Sequence, residues 1–179
     1  MTTSLQQFPA RSTAADDATS ARGEFRRVMG HLPTGVVVVA ALVDDAPVGM
    51  AINSITSVSL DPPLIAICID NKSSTWPQIR AAGSFTVSIL PAHDHQAPRR
   101  FSGPSENRFD GVGWHSHETG PVLDDSVAWI DCEVHQEHSA GDHTIVVARV
   151  LDLGTAEDGQ ALLFFRGQYG HFIPATRTS

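Results

Sequence analysis

The distribution of apolar residues along the chain predicts a protein built mainly from β-strands. Residues 36–42 and 64–69 are uninterrupted apolar runs of strand length, which is typical of buried strands. Residues 85–90 alternate between apolar and polar positions, as a strand with two different faces does. A turn over residues 44–47 joins the first strand to the next in a hairpin. Further strands are predicted over residues 48–52, 127–136, 144–153 and 162–165.

Helical periodicity occurs twice. Ser20 is a candidate N-cap for a first helix, and Pro33 ends it. The apolar residues of this helix recur at helical spacing: Phe25, Val28, Met29 and Leu32. A second helix follows Thr75, which forms a capping-box pattern with Gln78, and ends at Gly83.

Many strands with short connections and few helices favour a closed or nearly closed antiparallel β-barrel. Residues 91–125 form a long excursion rich in His, Pro and Gly, and such excursions usually serve a site or an interface. We expect a disordered N-terminal tail over residues 1–20, one folded domain over residues 21–174 and a C-terminal tail over residues 175–179.

The composition is that of one globular domain. The chain has 179 residues, of which 41% are hydrophobic, enough to form a real core. Its sequence contains no apolar run of about 18 residues that would span a membrane. The N-terminus lacks a signal-peptide pattern, so we expect a cytoplasmic protein. Cys68 and Cys132 lie in apolar runs without metal-ligand spacing, and we interpret them as reduced core residues.

The charge of the chain argues against nucleic acid as a partner. Twelve Lys and Arg face twenty Asp and Glu, a formal net charge of −8, and they form no basic stripe. Lys72 is the only lysine in the sequence. No Gly-x-Gly-x-x-Gly pattern follows a predicted strand, so the sequence contains no Rossmann nucleotide site.

Three polar segments carry the candidate chemistry. The first, residues 53–63, places hydroxyl and amide side chains in a predicted strand that ends at a double proline. Asn53, Ser54, Thr56 and Ser57 are short donors suited to the edge of a polar planar ligand. The same pattern is typical of the solvent face of an edge strand.

The second segment, residues 71–76, precedes the second predicted helix. Unpaired amides at a helix N-terminus favour an anion, and Lys72, Ser73 and Ser74 add a charge and hydroxyl donors. We interpret it as a phosphate site. The alternative is an ordinary capped surface helix.

The third segment is the triplet of Gly141, Asp142 and His143 at the start of an apolar strand. Gly141 permits a sharp turn, and Asp142 can hold an imidazole nitrogen or cap that turn. His143 then either serves a ligand or satisfies the local structure.

These three segments in this order, with the Pro-Thr-Gly-Val sequence of residues 33–36 and with Tyr169, resemble the short-chain flavin reductases. The members of that family use NAD(P)H to reduce free FMN or FAD, commonly for a partner monooxygenase. The resemblance covers roughly residues 24–172. It implies the family's mainly β fold, a Greek-key split barrel that binds FMN, with a few short helices.

The resemblance also implies roles for individual residues. His143 lies beside the nicotinamide and is the candidate catalytic residue, although hydride transfer needs alignment more than an acid or a base. Residues 50–58 contact the flavin ring and its ribityl phosphate chain. The implied cofactor-binding residues are Thr34, Met50, Ala51, Asn53, Ser54, Thr56, Ser57, Val58, Lys72, Ser73, Ser74, Phe101, Arg108, Gly141, Asp142, His143 and Tyr169.

We therefore expect an NADH:flavin oxidoreductase that reduces FAD, with FMN as the alternative, for a separate monooxygenase. NADH is favoured over NADPH, although Arg99, Arg100 and Arg108 could form a site for a 2′-phosphate. We expect a homodimer, because members of the family share the flavin groove and because Trp129, Ile130 and residues 162–165 exceed the needs of one core. A non-enzymatic flavin carrier or sensor on the same fold is the rival.

A metal-dependent β-barrel enzyme is a third class of function. On a strand, histidines two residues apart face one side and could share a metal. Because the candidate pairs lie in a loop-rich region without a nearby cysteine, we expect no bound metal. The histidines concerned are His93, His95, His115, His117, His135, His138 and His143.

Overall fold

A computed structural model describes residues 14–156 and 159–175 of the chain. Its helices are α1 (Ala14–Met29), α2 (Trp76–Ala82) and α3 (Ala97–Ser102), followed by one 3₁₀ turn (Ser105–Asn107). Its strands are β1 (Thr34–Gly35), β2 (Val37–Val43), β3 (Ala46–Ile52), β4 (Ile55–Leu60), β5 (Pro63–Asp70), β6 (Ser84–Ile89), β7 (Trp114–Ser116), β8 (Pro121–Leu123), β9 (Ala128–Ala140), β10 (His143–Thr155), β11 (Leu163–Phe165) and β12 (Gln168–Gly170).

Seven strands form one antiparallel sheet in the order β3-β2-β6-β9-β10-β5-β4. Side chains from all seven strands pack into a single core, which α2 closes with Trp76 and Ile79. The two edge strands, β3 and β4, follow each other in the chain and are joined by residues 53 and 54. The sheet therefore curls into a barrel that is split between β3 and β4, as the sequence predicts.

Strand β2 is buried on both faces, which explains its unbroken apolar sequence. Val37, Val39 and Ala41 point into the barrel core. Val38 and Ala40 point outwards into a second core, formed with α3 and the C-terminal strands. Because β2 lies between these two cores, no polar side chain is tolerated along its centre.

The β2–β3 hairpin turn is shorter than predicted. Asp44 and Asp45 have φ angles of 49° and 60°, which makes them the two central residues of a tight hairpin turn. Pro47, predicted to lie in the turn, pairs with Leu42 inside β3. The sheet accepts this proline because β3 is an edge strand.

The first helix begins earlier than the sequence suggests. It starts at Ala14, so Ser20 lies within the helix and the N-cap prediction is wrong. Its predicted apolar residues lie on the surface: Phe25, Val28, Met29 and Leu32. Residues 1–13 and 176–179, which make up most of the two predicted tails, lie outside the described residues.

The second helix has the predicted ends but different capping. Gly83 adopts a left-handed conformation with φ of 78° and terminates α2. Thr75 occupies the N-cap position without a side-chain capping bond. The hydroxyl of Ser73 accepts from the Trp76 amide instead, at 3.1 Å, and Gln78 donates to the carbonyl of Ser74. The capping-box prediction is therefore wrong.

Two further expectations change. Residues 91–125 contain α3, the 3₁₀ turn and the β7–β8 hairpin, so this excursion is more regular than its composition suggests. Trp129 packs against His117 with 4.2 Å between ring centroids, and Leu162 is fully buried. Trp129 and Leu162 are thus packed within the protein, whereas Phe165 is 43% exposed. In the described part of the chain, no helix is both long and apolar enough to cross a membrane.

Candidate functional site

A groove of about 530 Å³ lies beside the junction of β3 and β4. We call it the central groove. The end of β3 forms one wall, the turn between β5 and α2 forms another, and α3 with the following loop closes its base. Ten of the predicted residues line it: Met50, Ala51, Asn53, Ser54, Lys72, Ser73, Ser74, Phe101, Arg108 and His143.

Two neighbouring cavities adjoin the central groove. The larger, which we call the helix cavity, has a volume of about 920 Å³ and lies between the end of α1 and β4. Thr34 and Thr56 line it, together with Asn53 and Ser54. A smaller cavity of about 160 Å³ contains Tyr169 and again Asn53. Asn53 therefore lies where all three cavities meet.

Residues 53 and 54 are held firmly at the split of the barrel. The amide of Asn53 donates to the hydroxyl of Thr34 at 3.1 Å, which links this segment to β1. Ser54 and Cys68 exchange two hydrogen bonds, one from the Ser54 hydroxyl (2.8 Å) and one from the Cys68 amide (3.1 Å). Ser54 thus presents lone pairs to a ligand, whereas Asn53 retains a carbonyl oxygen and a second N–H.

Four predicted residues do not line any of these three cavities within the described chain. Ser57 and Val58 lie further along β4, where the register shifts between Ser57 and Ser59, and the side chain of Val58 is exposed. Gly141 and Asp142 form the β9–β10 turn. The first pair is therefore separate from the site, whereas the second pair positions His143.

The turn before α2 is rigid and presents Lys72 and Ser74 at the rim of the central groove. Asp70 accepts from the amides of Lys72, at 2.8 Å, and Ser73, at 2.9 Å. The Ser73 hydroxyl accepts from Trp76 and contacts the sulfur of Met50 at 3.5 Å. The hydrogen-bonding capacity of Ser73 is thus largely used, whereas the polar side chains of Lys72 and Ser74 are exposed.

Arg108 and Phe101 form the buried base of the groove. Phe101 is fully buried and packs edge-on against Phe109, with ring centroids 5.0 Å apart. Arg108 is 9% exposed, and its guanidinium donates to Gly49, Thr75 and Gly103. Burial lowers the pKa of Arg108 from its ordinary value.

The β9–β10 hairpin brings His143 to the groove. Gly141 has φ of 67°, which a two-residue turn requires and glycine adopts without strain. Asn71 connects this turn to the candidate phosphate site. Its backbone N–H donates to the carbonyl oxygen of Asp142 at 3.0 Å, and its side-chain oxygen accepts from the hydroxyl of Thr144 at 2.9 Å. This role of Asn71 carries no local sequence signal, since only the fold brings the two turns together.

The His143 ring is oriented by its neighbour. Its Nδ1 lies 2.8 Å from Oδ1 of Asp142. Because an ionised carboxylate only accepts, this bond places a proton on Nδ1 and leaves Nε2 for a ligand. The hydrogen bond from His143, reinforced by the charge of the imidazole, lowers the pKa of Asp142.

Cys68 and Tyr169 complete the surroundings. Cys68 is partly exposed and lines both the central groove and the helix cavity, although its apolar strand sequence indicated a core residue. Tyr169 packs against Phe164 at 5.3 Å and lines the small cavity.

In one of the candidate metal pairs, both histidines have carboxylate partners. His115 bonds to Asp124 at 2.9 Å, and His117 bonds to the buried Asp131. Over residues 14–156 and 159–175, the structure contains no cluster of three or more His, Cys, Asp or Glu side chains suited to a metal ion.

Known proteins with similar sequences and structures share this architecture. Residues 29–172 match the flavin reductase like domain. A flavin reductase of Pseudomonas putida is 43% identical over 150 residues, covering 83% of this chain and 88% of that protein.

Two solved structures superpose closely. Nitrilotriacetate monooxygenase component B from Mycobacterium thermoresistibile has a TM-score of 0.85 at 37% identity, covering 91% of this chain and 92% of that one. The NADH:FAD oxidoreductase of Streptomyces globisporus C-1027, in complex with NAD and FAD fragments, has a TM-score of 0.82 at 35% identity, covering 93% and 99%. With its split barrel and a domain match over most of its length, the chain belongs to the flavin reductase family.

Proposed function

We propose that this protein is an NADH-dependent flavin reductase that transfers a hydride from NADH to FAD, with FMN as the alternative flavin. The observation that carries the proposal is the central groove, which brings ten predicted residues from four separate chain segments to one place. Similarity to an NADH:FAD oxidoreductase and to a monooxygenase component supports both the reaction and delivery of reduced flavin to a separate monooxygenase.

The side chains of the groove fit a flavin nucleotide. Asn53 and Ser54 offer a carbonyl, an N–H and hydroxyl lone pairs, which complement the polar edge of the ring. Lys72 and Ser74 offer an ammonium and a hydroxyl to the phosphate from a turn that is already ordered. Ser57 and Val58 are not part of this proposed contact surface, because they lie beyond the register shift in β4.

The flavin, when bound, supplies the ring that accepts a hydride. The task of the protein is to align the hydride donor, and we assign this to His143. Its Nδ1 is held by Asp142, so Nε2 can hold the nicotinamide amide in a fixed direction. Asn71 supports that direction by tying the hairpin turn to β5.

The selectivity for NADH follows from the arginines. Arg108 is buried and bonded to protein acceptors, so it does not form a surface cluster with Arg99 and Arg100. The 2′-phosphate of NADPH thereby lacks one of its three candidate partners. NADH is the dinucleotide that we expect the protein to use.

The proposed assembly is a homodimer. Three apolar side chains of α1, Phe25, Val28 and Met29, and Leu32 just after it are 46–67% exposed, and three of these four line the helix cavity. A second subunit that covers this surface would close the open side of the helix cavity. We also propose a cytoplasmic location, where NADH and free flavin are both available.

Steady-state kinetics with each dinucleotide and each flavin test the proposed function. Oxidation of the dinucleotide is expected to require added flavin. Its rate is expected to be higher with NADH than with NADPH. A protein that binds flavin tightly but does not oxidise NADH would contradict the proposal and favour the non-enzymatic carrier. Lack of flavin binding would contradict both.

A further inference from the structure

Arg108 joins three separate segments around the central groove. Its Nη1 donates to the carbonyl of Gly49 in β3 at 2.7 Å and to the hydroxyl of Thr75 before α2 at 2.8 Å. Its Nε and Nη2 donate to the carbonyl of Gly103, after α3, at 3.0 and 2.8 Å. The planar guanidinium spans these acceptors because its N–H donors point in fixed directions.

The bond to Thr75 changes the local structure. Thr75 is 2% exposed and stands where a threonine normally caps the helix, yet its side chain makes no capping bond. Its hydroxyl accepts from Arg108 instead, and Ser73 takes over the amide of Trp76. Arg108 therefore determines where the turn that carries Lys72 and Ser74 lies relative to β3.

Burial makes this arrangement rigid. A buried guanidinium is costly unless its donors are bonded, so each acceptor is held in place. Gly49 lies one residue before Met50, and Thr75 lies one residue after Ser74. The two groove walls are thus held by the same side chain, which directs its donors to the protein.

We propose that Arg108 is a positioning residue for the flavin phosphate: it sets the separation between residues 72–75 and the end of β3 and does not contact the flavin itself. This inference rests on the proposed function. It departs from the role of direct cofactor contact that the family resemblance implies for Arg108.

The test compares a flavin that has a phosphate with one that lacks it. Arg108→Gln removes the charge and most of the bonds, and Kd is measured by quenching of flavin fluorescence with FMN and with riboflavin. The FMN Kd is expected to rise about tenfold, because a displaced turn weakens charge-assisted bonds to the phosphate. The riboflavin Kd is expected to change less than about twofold, because no phosphate bond is lost.

Thr75 provides a second test that leaves Arg108 in place. Thr75→Val removes the hydroxyl acceptor while keeping the shape, and Thr75→Ser keeps the hydroxyl. The valine variant is expected to reproduce the FMN-selective loss, and the serine variant to bind FMN like the wild type. Combined with Arg108→Gln, Thr75→Val is expected to add little, because both changes break the same bond.

Matched controls separate positioning from general damage. Arg149→Gln removes an exposed arginine of β10 that lines none of the three cavities, and it is expected to leave both Kd values unchanged. Arg108→Lys keeps the charge but cannot span all three acceptors, so it is expected to restore FMN binding in part. Thermal unfolding identifies variants that fail to fold. If Arg108→Gln fails to fold, the comparison of Thr75→Val with Thr75→Ser tests whether the Arg108–Thr75 bond positions the turn.

Three results would overturn the inference. An equal rise in the Kd values for FMN and riboflavin would show that Arg108 stabilises the whole groove and not the phosphate site in particular. Full additivity of Arg108→Gln and Thr75→Val would indicate direct contact with the phosphate. Unchanged FMN binding in Arg108→Gln would exclude both roles. Failure of the proposed function is distinguishable, because it is measured on the wild-type protein, which would then bind neither flavin or bind flavin without oxidising NADH, whereas this inference depends on the Kd values of the variants.

Discussion

At the scale of single residues, His143 is the side chain proposed to align the nicotinamide. Asp142 holds its Nδ1 at 2.8 Å, and the ring lines the central groove. His143→Ala is expected to raise the KM for NADH and lower kcat, with a loss of about ten- to a hundredfold in kcat/KM. The reason is that a poorly aligned hydride donor spends less time in a reactive geometry. Steady-state kinetics at saturating flavin measure this.

His138→Ala is the matched control for this prediction. His138 is exposed on β9, opposite Ile145 of the same hairpin, and is expected to be silent. Loss of flavin binding in His143→Ala, with wild-type NADH kinetics at saturating flavin, would assign His143 to the flavin site. A silent His143→Ala would make the residue structural.

Lys72 and Ser74 are the residues proposed to hold the phosphate. Replacing both with alanine is expected to raise the flavin KM about tenfold or more, since each charge-assisted bond contributes about 1.5–3 kcal/mol. Turnover at saturating flavin is expected to change little, because the phosphate is remote from the reacting ring. Arg99→Ala, which removes an exposed cation from α3, is the control. An unchanged flavin KM would place the phosphate elsewhere.

The two cysteines differ in reactivity because their burial differs. Burial, assisted by the charge of Asp131, raises the pKa of Cys132 to about 12, whereas Cys68 is partly exposed. Iodoacetamide at pH 8.5 is expected to alkylate Cys68 and spare Cys132 in the folded protein, as measured by mass spectrometry. Both cysteines react in the denatured control. Modification of Cys132 in the folded protein would contradict its assignment to a closed core.

The raised pKa of Cys132 also predicts how stability depends on pH. An unfolded cysteine ionises near pH 8.5, whereas folded Cys132 retains its proton up to about pH 12. The unfolded state therefore loses its proton first, and the contribution of Cys132 to stability falls as pH rises between these values. Cys132→Ala is expected to remove this part of the alkaline decline in denaturation midpoint. An identical decline in both proteins would contradict the prediction.

At the scale of elements, a polar layer fastens the β7–β8 hairpin to the outside of the barrel. Thr86 of β6 donates to the carbonyl of Pro121 at 2.6 Å, and Ser88 accepts from the Leu123 amide at 3.1 Å. Asp131 of β9 is 1% exposed and bonds to Thr119, at 2.7 Å, and to His117. Buried polar groups are tolerated here because each has a partner.

Removing one partner tests the strength of this layer. His117→Ala leaves the buried Asp131 short of a donor and is expected to lower the free energy of unfolding by about 1–3 kcal/mol. His115→Ala, two residues away, breaks a surface pair with Asp124 and is expected to cost about 0–1 kcal/mol. Urea denaturation measures both. Equal costs would show that burial of Asp131 does not control the stability of the hairpin.

At the scale of the whole molecule, the exposed apolar surface of α1 predicts self-association. Light scattering is expected to show a dimer at micromolar concentration, and Phe25→Asp with Val28→Asp is expected to yield monomers with reduced activity. Gly23→Asp is the control, because a side chain at Gly23 meets nothing within 4 Å. A wild-type monomer with full activity would refute the proposed dimer.

The elements and the chemistry of the site follow from the sequence because their signals are local. Apolar runs and alternation predict most strands, since a strand buried on both faces is apolar throughout and a strand with one exposed face alternates. Asn53, Lys72 and His143 are recognisable because polar groups interrupt such runs beside turns. These local features predicted a nearly closed barrel and six of the ten predicted residues that line the central groove, whereas the split barrel and the site roles of Met50, Ala51, Phe101 and Arg108 were implied by the family resemblance.

Only the tertiary structure determines which partner each polar group takes. Thr75 occupies the N-cap position of α2, but its hydroxyl accepts a hydrogen bond from Arg108, 33 residues away in the chain, and none from the helix. The family resemblance implies a site role for Val58, but this residue lies at a register shift in β4 and is outside the groove. Trp129 was expected to be a surplus apolar residue at an interface, but its ring packs against His117 of the β7–β8 hairpin. In each case the local preference is replaced by a longer-range contact, because burial and hydrogen bonding are satisfied across the whole fold.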